Sequence, residues 1–189
     1  MEFAAICLGN PGSQYSETRH NAGFFVARRV AELLDLRFRR ALLRPLRYAR
    51  AHPLVMVLPL TYMNRSGTII PYLDRAFPES RERLVVVFDQ MDLPPGVVRL
   101  KRGGGSGGHR GVQSVLDHAR EREILKLAVG IGRPAPGQSV TDYVLSSPES
   151  DESRLLESGC DLAADAVLRL RDEDIASVMN RVNNRVKNA

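Results

Sequence analysis

His20 lies within one dense polar run, LGNPGSQYSETRHN (Leu8 to Asn21), that follows a short apolar stretch, FAAICL (Phe3 to Leu8). A strand that ends in Asn-Pro-Gly and then offers Tyr15, Thr18, Arg19, His20 and Asn21 is ill suited to packing a core and well suited to walling an active site. Two later segments supply candidate opposing walls. One is TYMNRSG (Thr61 to Gly67); the other, DQMDLPPGVVRLKRGGGSGGHRG (Asp89 to Gly111), adds a second histidine, His109. Histidine is the side chain whose ordinary titration falls nearest neutrality, so His20 is a candidate general base. Asp89 closes the strongest strand pattern of the chain. Open α/β sheets build their sites at such strand ends, and a carboxylate there can orient an imidazole. Asn10, Asn21 and Asn64 add amides that can hold a carbonyl or a water but cannot titrate.

Other chemistries fit less well. No Ser or Cys sits in a G-x-S-x-G pattern, which leaves water activated by a histidine as the natural nucleophile. The glycines from Gly103 to Gly108 fall between a strand and a helix, where backbone N–H groups could hold an anion. His109 follows the last of them instead of the Lys-Ser or Lys-Thr of a nucleotide loop, so a flexible flap over a substrate is expected in place of ATP binding. Neither His20 nor His109 has a second His or a Cys at ligand spacing, and the expectation is no metal and no cofactor. Cys7 and Cys160 read as reduced, packed residues.

Positioning these groups requires strands and helices in alternation. Phe3 to Leu8 and Leu84 to Phe88 read as buried strands, Arg44 to Leu58 as a hairpin broken near His52-Pro53, and Val97 to Lys101 and Leu125 to Ile131 as further strands. Helical spacing marks Gly23 to Leu34 and Val112 to Ala119 and, past Tyr143 to Leu145, Glu149 to Leu170 and Asp172 to Val182. One more helix is expected to be capped by Asn64 or Ser66 and to run toward Ala76 despite Pro71. The order predicts one α/β domain over residues 1–189, a mixed twisted sheet between layers of helices, with no linker separating two cores.

With 43% hydrophobic and 26% charged residues and no apolar run near the ~20 residues needed to span a bilayer, the chain reads as a soluble globular protein with no membrane partner. No basic-then-apolar leader opens it, so a cytoplasmic location is expected. Lys and Arg outnumber Asp and Glu 16 to 9 in residues 1–102 and trail them 11 to 13 in residues 103–189, which gives +7 and −2. The basic half implies a polyanionic partner. Arg37, Arg39, Arg40, Arg44, Arg47 and Arg50 are either part of that surface or a solvated face.

Taken together, LGNPGSQYSETRHNAGF, PLTYMNRSG, DLPPGVVRLKRGGGSGGHRG, and VGIGRP followed by DYVLS resemble, in order, the motifs of bacterial-type peptidyl-tRNA hydrolases. The ending AADAVLRLRDEDIASVMNRVN is similar to the C-terminal helices of that family. The resemblance implies an esterase that cuts the bond between a peptide and the 3′-terminal ribose of tRNA, acting as a monomer with no obligate protein partner. It implies that His20 is the general base, Asp89 the acceptor of its other ring proton and Asn10 a member of the catalytic set. Tyr15, Asn21, Met63, Asn64, His109 and Arg110 would line the substrate cleft, and Lys101 would meet a tRNA phosphate.

This chain departs from the family pattern at two positions. Arg110 stands where the family usually has Asn, and Leu127-Ala128-Val129 where it often carries an arginine, so that Lys126 or Arg110 is left to supply the missing charge. An RNA-binding scaffold of the same fold is the alternative to an enzyme, and hydrolysis of some other ester or amide a weaker third option. Retention of both His20 and Asp89 argues against the scaffold, because RNA binding alone needs neither.

Overall fold

The computed structural model of the chain describes residues 2–120 and 122–185. A single seven-stranded sheet runs through it in the order β2-β3-β4-β1-β5-β7-β6. The strands are β1 (Phe3–Cys7), β2 (Arg39–Arg40), β3 (Leu46–Ala51), β4 (Leu54–Pro59), β5 (Arg83–Gln90), β6 (Val98–Arg102) and β7 (Glu123–Gly130). β1 pairs in parallel with β4 and β5, and β5 in parallel with β7. The outer strands β3 and β6 run antiparallel to their inner neighbours, which makes the sheet mixed as expected.

The central strands are apolar along their length because helices cover both faces. On one face, α1 (Ala22–Leu33), α5 (Ser150–Arg169) and α6 (Ile175–Arg185) pack on Phe3, Ala5, Cys7, Val85, Val87, Leu125 and Leu127. On the other, α2 (Ile70–Ala76) and α3 (Arg110–Ala119) cover Ala4, Ile6, Val55, Val57, Leu84, Val86 and Phe88. Both cysteines are free and buried. Burial pushes the Cys7 thiol far up and raises that of Cys160 to about 12, so neither supplies a thiolate nucleophile.

Two predicted boundaries are displaced. Neither Asn64 nor Ser66 caps an α-helix: Met63–Ile69 is a 3₁₀ segment, and α2 begins at Ile70. Pro71 then falls in the first turn of α2, where its missing N–H has no partner to lose. Ser66 is buried, and its hydroxyl donates to the Met63 carbonyl at 2.8 Å. The last helix starts at Ile175 and not at Asp172, since the Asp174 carboxylate accepts from the Ser177 N–H at 3.0 Å and stops the helix there. The short helix α4 (Val140–Val144), with Ser139 accepting from the Asp142 N–H, had no counterpart in the sequence reading.

After β1 the chain builds α1 and the β2–β3–β4 hairpin system on one side; β5 then enters on the other side of β1. This reversal opens a crevice at the carboxyl ends of β1 and β5. The two basic groups noted in the sequence lie at opposite margins of the sheet: Arg39 to Arg50 along β2 and β3, Lys101 on β6.

The 3₁₀ segment touches α3 so closely that a Cβ on Gly67 would come within 1.9 Å of the Ser114 carbonyl oxygen, while the Gly67 N–H already donates to Ser114 Oγ at 3.0 Å. Gly67→Ala should therefore force the two segments apart and lower stability by roughly 2–3 kcal/mol in urea unfolding. An unchanged midpoint would mean that the contact yields more easily than its backbone partner allows.

Candidate active site

Loops at the crevice bring together three side chains that are far apart in sequence. His20 sits in the 3₁₀ turn Arg19–Asn21 after β1, Asp89 near the end of β5, and His109 at the entrance to α3. His20 Nδ1 is 2.9 and 3.0 Å from the two Asp89 carboxylate oxygens, and His109 Nε2 is 3.0 Å from one of them. The imidazole centroids are 5.1 Å apart.

The hydrogen bonds fix the tautomers. His109 Nδ1 accepts from the backbone N–H groups of Gly111 at 3.1 Å and Val112 at 3.2 Å, capping α3 with its own ring. Backbone amides only donate, so the His109 proton lies on Nε2 and points at Asp89. A carboxylate only accepts, so the His20 proton lies on Nδ1, and its Nε2 lone pair faces the crevice. Burial alone would disfavour the Asp89 charge, yet the two histidines together hold its carboxyl well below the usual range. For His20, burial works against the imidazolium, but the Asp89 charge and hydrogen bond outweigh it, so its pKa is raised above the ordinary value. The sequence reading gave Asp89 one histidine; the structure gives it two, because the glycine-rich connection returns the start of α3 to the end of β5.

These three residues also place potential metal-ligand atoms within 4.8 Å of one another, a clustering that ligand spacing in the sequence does not reveal. The nitrogens that face Asp89 carry the protons of its hydrogen bonds, and His109 Nδ1 is occupied by α3. An ion at this point would have to replace all of those bonds, so the donor set reads better as a proton network than as a metal centre.

The asparagines divide between lining the site and shaping it. Asn10 Oδ1 accepts from the Met63 N–H at 2.9 Å, which ties the first loop to the 3₁₀ segment and leaves Asn10 Nδ2 without a protein acceptor among the described residues. Asn21 is 2% exposed, and both ends of its side chain are taken up by the protein. Its Oδ1 accepts from the Asn10 N–H at 2.8 Å and its Nδ2 donates to the Asn10 carbonyl at 3.1 Å, so it clamps the Asn10 backbone from both sides. Asn64 is exposed beside Met63, and Met63 is buried with its sulfur against Gly111. Arg110 is exposed at the first position of α3. Tyr15 is half-buried; its carbonyl, which accepts from the Thr18 N–H and hydroxyl, is the part that shapes the loop.

At the β6–β7 margin, Lys101 lies directly across from Lys126, and Arg99 directly across from Ala128. Directly opposed residues share a face, so Arg99 stands beside the position whose arginine is missing, a placement invisible without the strand register. Lys126 is nearly buried and donates to the Gly105 carbonyl, which fastens the glycine loop; burial and then Lys101 lower its pKa.

Arg19 belongs to the polar run that the sequence offers as an active-site wall, but the structure buries it. Its side chain is 6% exposed and pairs with Glu152 of α5 through both nitrogens of its fork, while also donating to the carbonyls of Ser146 at 3.2 Å and Ser147 at 3.0 Å. Its guanidinium lies 4.4 Å from the Tyr143 ring centroid. The hydrogen bond with Glu152 is the main reason its pKa is raised. The turn that carries His20 is thus fixed to α4 and α5 through the residue before it. Arg19→Met should cost about 3 kcal/mol, since it leaves a half-buried Glu152 carboxylate unpaired, and the double change with Glu152→Met should recover part of that loss in denaturant melts.

A sequence model described as peptidyl-tRNA hydrolase matches residues 4–189. The chain is 38% identical over 188 residues to the peptidyl-tRNA hydrolase of Persephonella marina, covering 98% of this chain and 100% of the relative. It is 40% identical over 187 residues to that of Moorella thermoacetica, covering 97% and 98%. Among solved structures, the peptidyl-tRNA hydrolase of Acinetobacter baumannii superposes with a TM-score of 0.86 at 33% identity, covering 96% of this chain and 94% of that one.

Proposed function

The chain belongs to the peptidyl-tRNA hydrolase family and hydrolyses peptidyl-tRNA, and we propose that the attacking group is a water activated by His20. The observation that carries this reading is the hydrogen bond from His20 Nδ1 to the ionised, buried Asp89, which leaves His20 Nε2 as the one basic lone pair of the network. A water on Nε2 loses its proton as its oxygen bonds to the ester carbonyl carbon. Asp89 stabilises the imidazolium that forms, and His109 donates to the same carboxylate. The free N–H of Asn10 Nδ2 suits the oxygen on which negative charge develops. When the tetrahedral intermediate collapses, the C–O bond to the ribose breaks and the proton returns from His20 to the leaving oxygen. An RNA-binding scaffold would need none of this arrangement.

Arg99, Lys101 and Lys126 form the grip on the tRNA phosphates, and the two opposed lysines are a like-charge pair that an anion relieves. Met63, Asn64 and Arg110 border the cleft on the side of the peptide. The same reading takes the enzyme as a monomer of the cytoplasm; no helix among the described residues is long and apolar enough to cross a membrane.

His20→Ala should lower kcat by about 10³ with little change in tRNA binding. In the parent enzyme kcat/KM should rise with pH through a limb centred above about 6.5, because the base must be neutral and the folded His20 pKa is raised. Asp89→Asn removes the charge that raises it and leaves the burial that lowers it, so the limb should move to lower pH while kcat falls. Turnover of a minimal peptidyl ester should survive chelation. A His20→Ala enzyme that retains turnover, or a limb that stays in place in Asp89→Asn, would refute the role assigned to the base.

Arg99→Ala and Lys101→Ala should each flatten the dependence of log affinity on log salt by about one phosphate's worth, and Arg99→Ala should weaken tRNA binding more than Arg110→Asn does. The reverse order would move the compensating charge for Ala128 to Arg110.

A further inference from the structure

Among the described residues, only two directly opposed like-charge pairs occur in the strand registers of the sheet, Lys101 with Lys126 and Arg40 with Arg47. Such pairs cost stability unless an anion meets them. The first belongs to the phosphate grip of the substrate. The second lies on the exposed β2–β3 margin, five inter-strand steps away, or roughly 24 Å at the usual ~4.8 Å spacing, with the catalytic crevice between the two.

The surroundings of this second pair are unusually one-sided. Residues 36–73 contain seven arginines and no Asp or Glu. Among the described residues Arg50 is the one arginine of the seven with a carboxylate partner, Glu2 at 2.8 Å. Arg44 stacks over Tyr72 with its guanidinium 4.4 Å from the ring centroid, which holds the fork flat and leaves its N–H edge for a ligand. Arg39 sits opposite Tyr48 on the same ladder. A solvated face requires neither opposed arginines nor an absence of acids across a whole hairpin.

We propose that the β2–β3 margin is a second RNA-docking surface, which binds the phosphodiester backbone of an RNA other than the tRNA engaged at the active site. It rests on the reading that the substrate is gripped at Arg99, Lys101 and Lys126, because one acceptor arm held there has its own anchor across the crevice. Guanidinium forks suit phosphates bidentately, and their contacts carry no base sequence, so the surface would hold structured RNA without regard to its sequence. Leu42 and Leu43 at the turn are exposed as well, and an anionic bilayer is the competing occupant that the test must separate.

The experiment uses the full chain saturated with deacylated tRNA and a fluorescent 20-base-pair RNA duplex as probe. The duplex is expected to bind without displacing tRNA. Arg40→Gln with Arg47→Gln should weaken duplex binding about ten-fold and flatten its salt slope by about two phosphates' worth, with kcat/KM on peptidyl-tRNA unchanged. Each single change relieves repulsion between the pair, so the variants should melt no lower than the parent. Displacement of tRNA by the duplex, no duplex binding by the parent, or a raised KM for peptidyl-tRNA in the double variant would each overturn the proposal. So would a double variant that loses binding to phosphatidylglycerol vesicles while keeping the duplex. Cleavage of peptidyl-tRNA by the parent is scored separately and tests the catalytic reading by itself.

Discussion

Everything at the proposed catalytic centre depends on keeping one buried carboxylate ionised. Asp89 is 3% exposed, and removing it from water by itself favours the neutral acid. Two imidazole N–H donors reverse that preference, one from each histidine. The same two bonds determine what the histidines can do. His109, whose other nitrogen caps α3, has no lone pair left to act as a base, whereas His20 keeps one. A single acceptor thus assigns different work to two chemically identical side chains.

That assignment holds only if three loops keep their places to within hydrogen-bonding tolerance, and the surrounding packing serves this. Gly67 and Gly111 permit the 3₁₀ segment and α3 to meet without intervening side chains; a Cβ on Gly111 would lie 2.4 Å from the Met63 sulfur. Asn21 fixes the backbone of Asn10, Asn10 fixes that of Met63, and Arg19 anchors the His20 turn to α5. Several of these groups are polar and buried, so each would be costly if left unpaired. The hydrogen bonds that fix these loops are also the ones that hold the proposed catalytic centre in place.

The sequence made the strands, most helices and the pairing of His20 with Asp89 legible, because buried parallel strands read as continuous β-branched runs and polar residues at their ends stand out. Local pattern could not reveal what depends on register and on the return path of loops. Arg99 beside Ala128 is a consequence of how β6 pairs with β7, and the second hydrogen bond on Asp89 of how far the glycine connection reaches back. Asn21 looked like a ligand-facing amide, since nothing in its neighbours shows that both ends of its side chain are satisfied by Asn10. Arg19 was obscured for a related reason: its partner, Glu152, is 133 residues away.

A water activated by one imidazole does not read the leaving group, since any ester carbonyl placed near His20 Nε2 would meet the same base. Selectivity must therefore come from what holds the rest of the substrate. The centre leaves that division to the rest of the surface, because its one fixed charge, on Asp89, is held by two imidazole N–H donors, and only His20 has a lone pair to take up a proton. The fixed positive charge lies outside it, on β6 and β7 toward one margin and on β2 and β3 toward the other. Long-range attraction can then gather RNA without perturbing the proton transfer, and the short-range hydrogen bonds that carry the chemistry remain buried and little screened by salt.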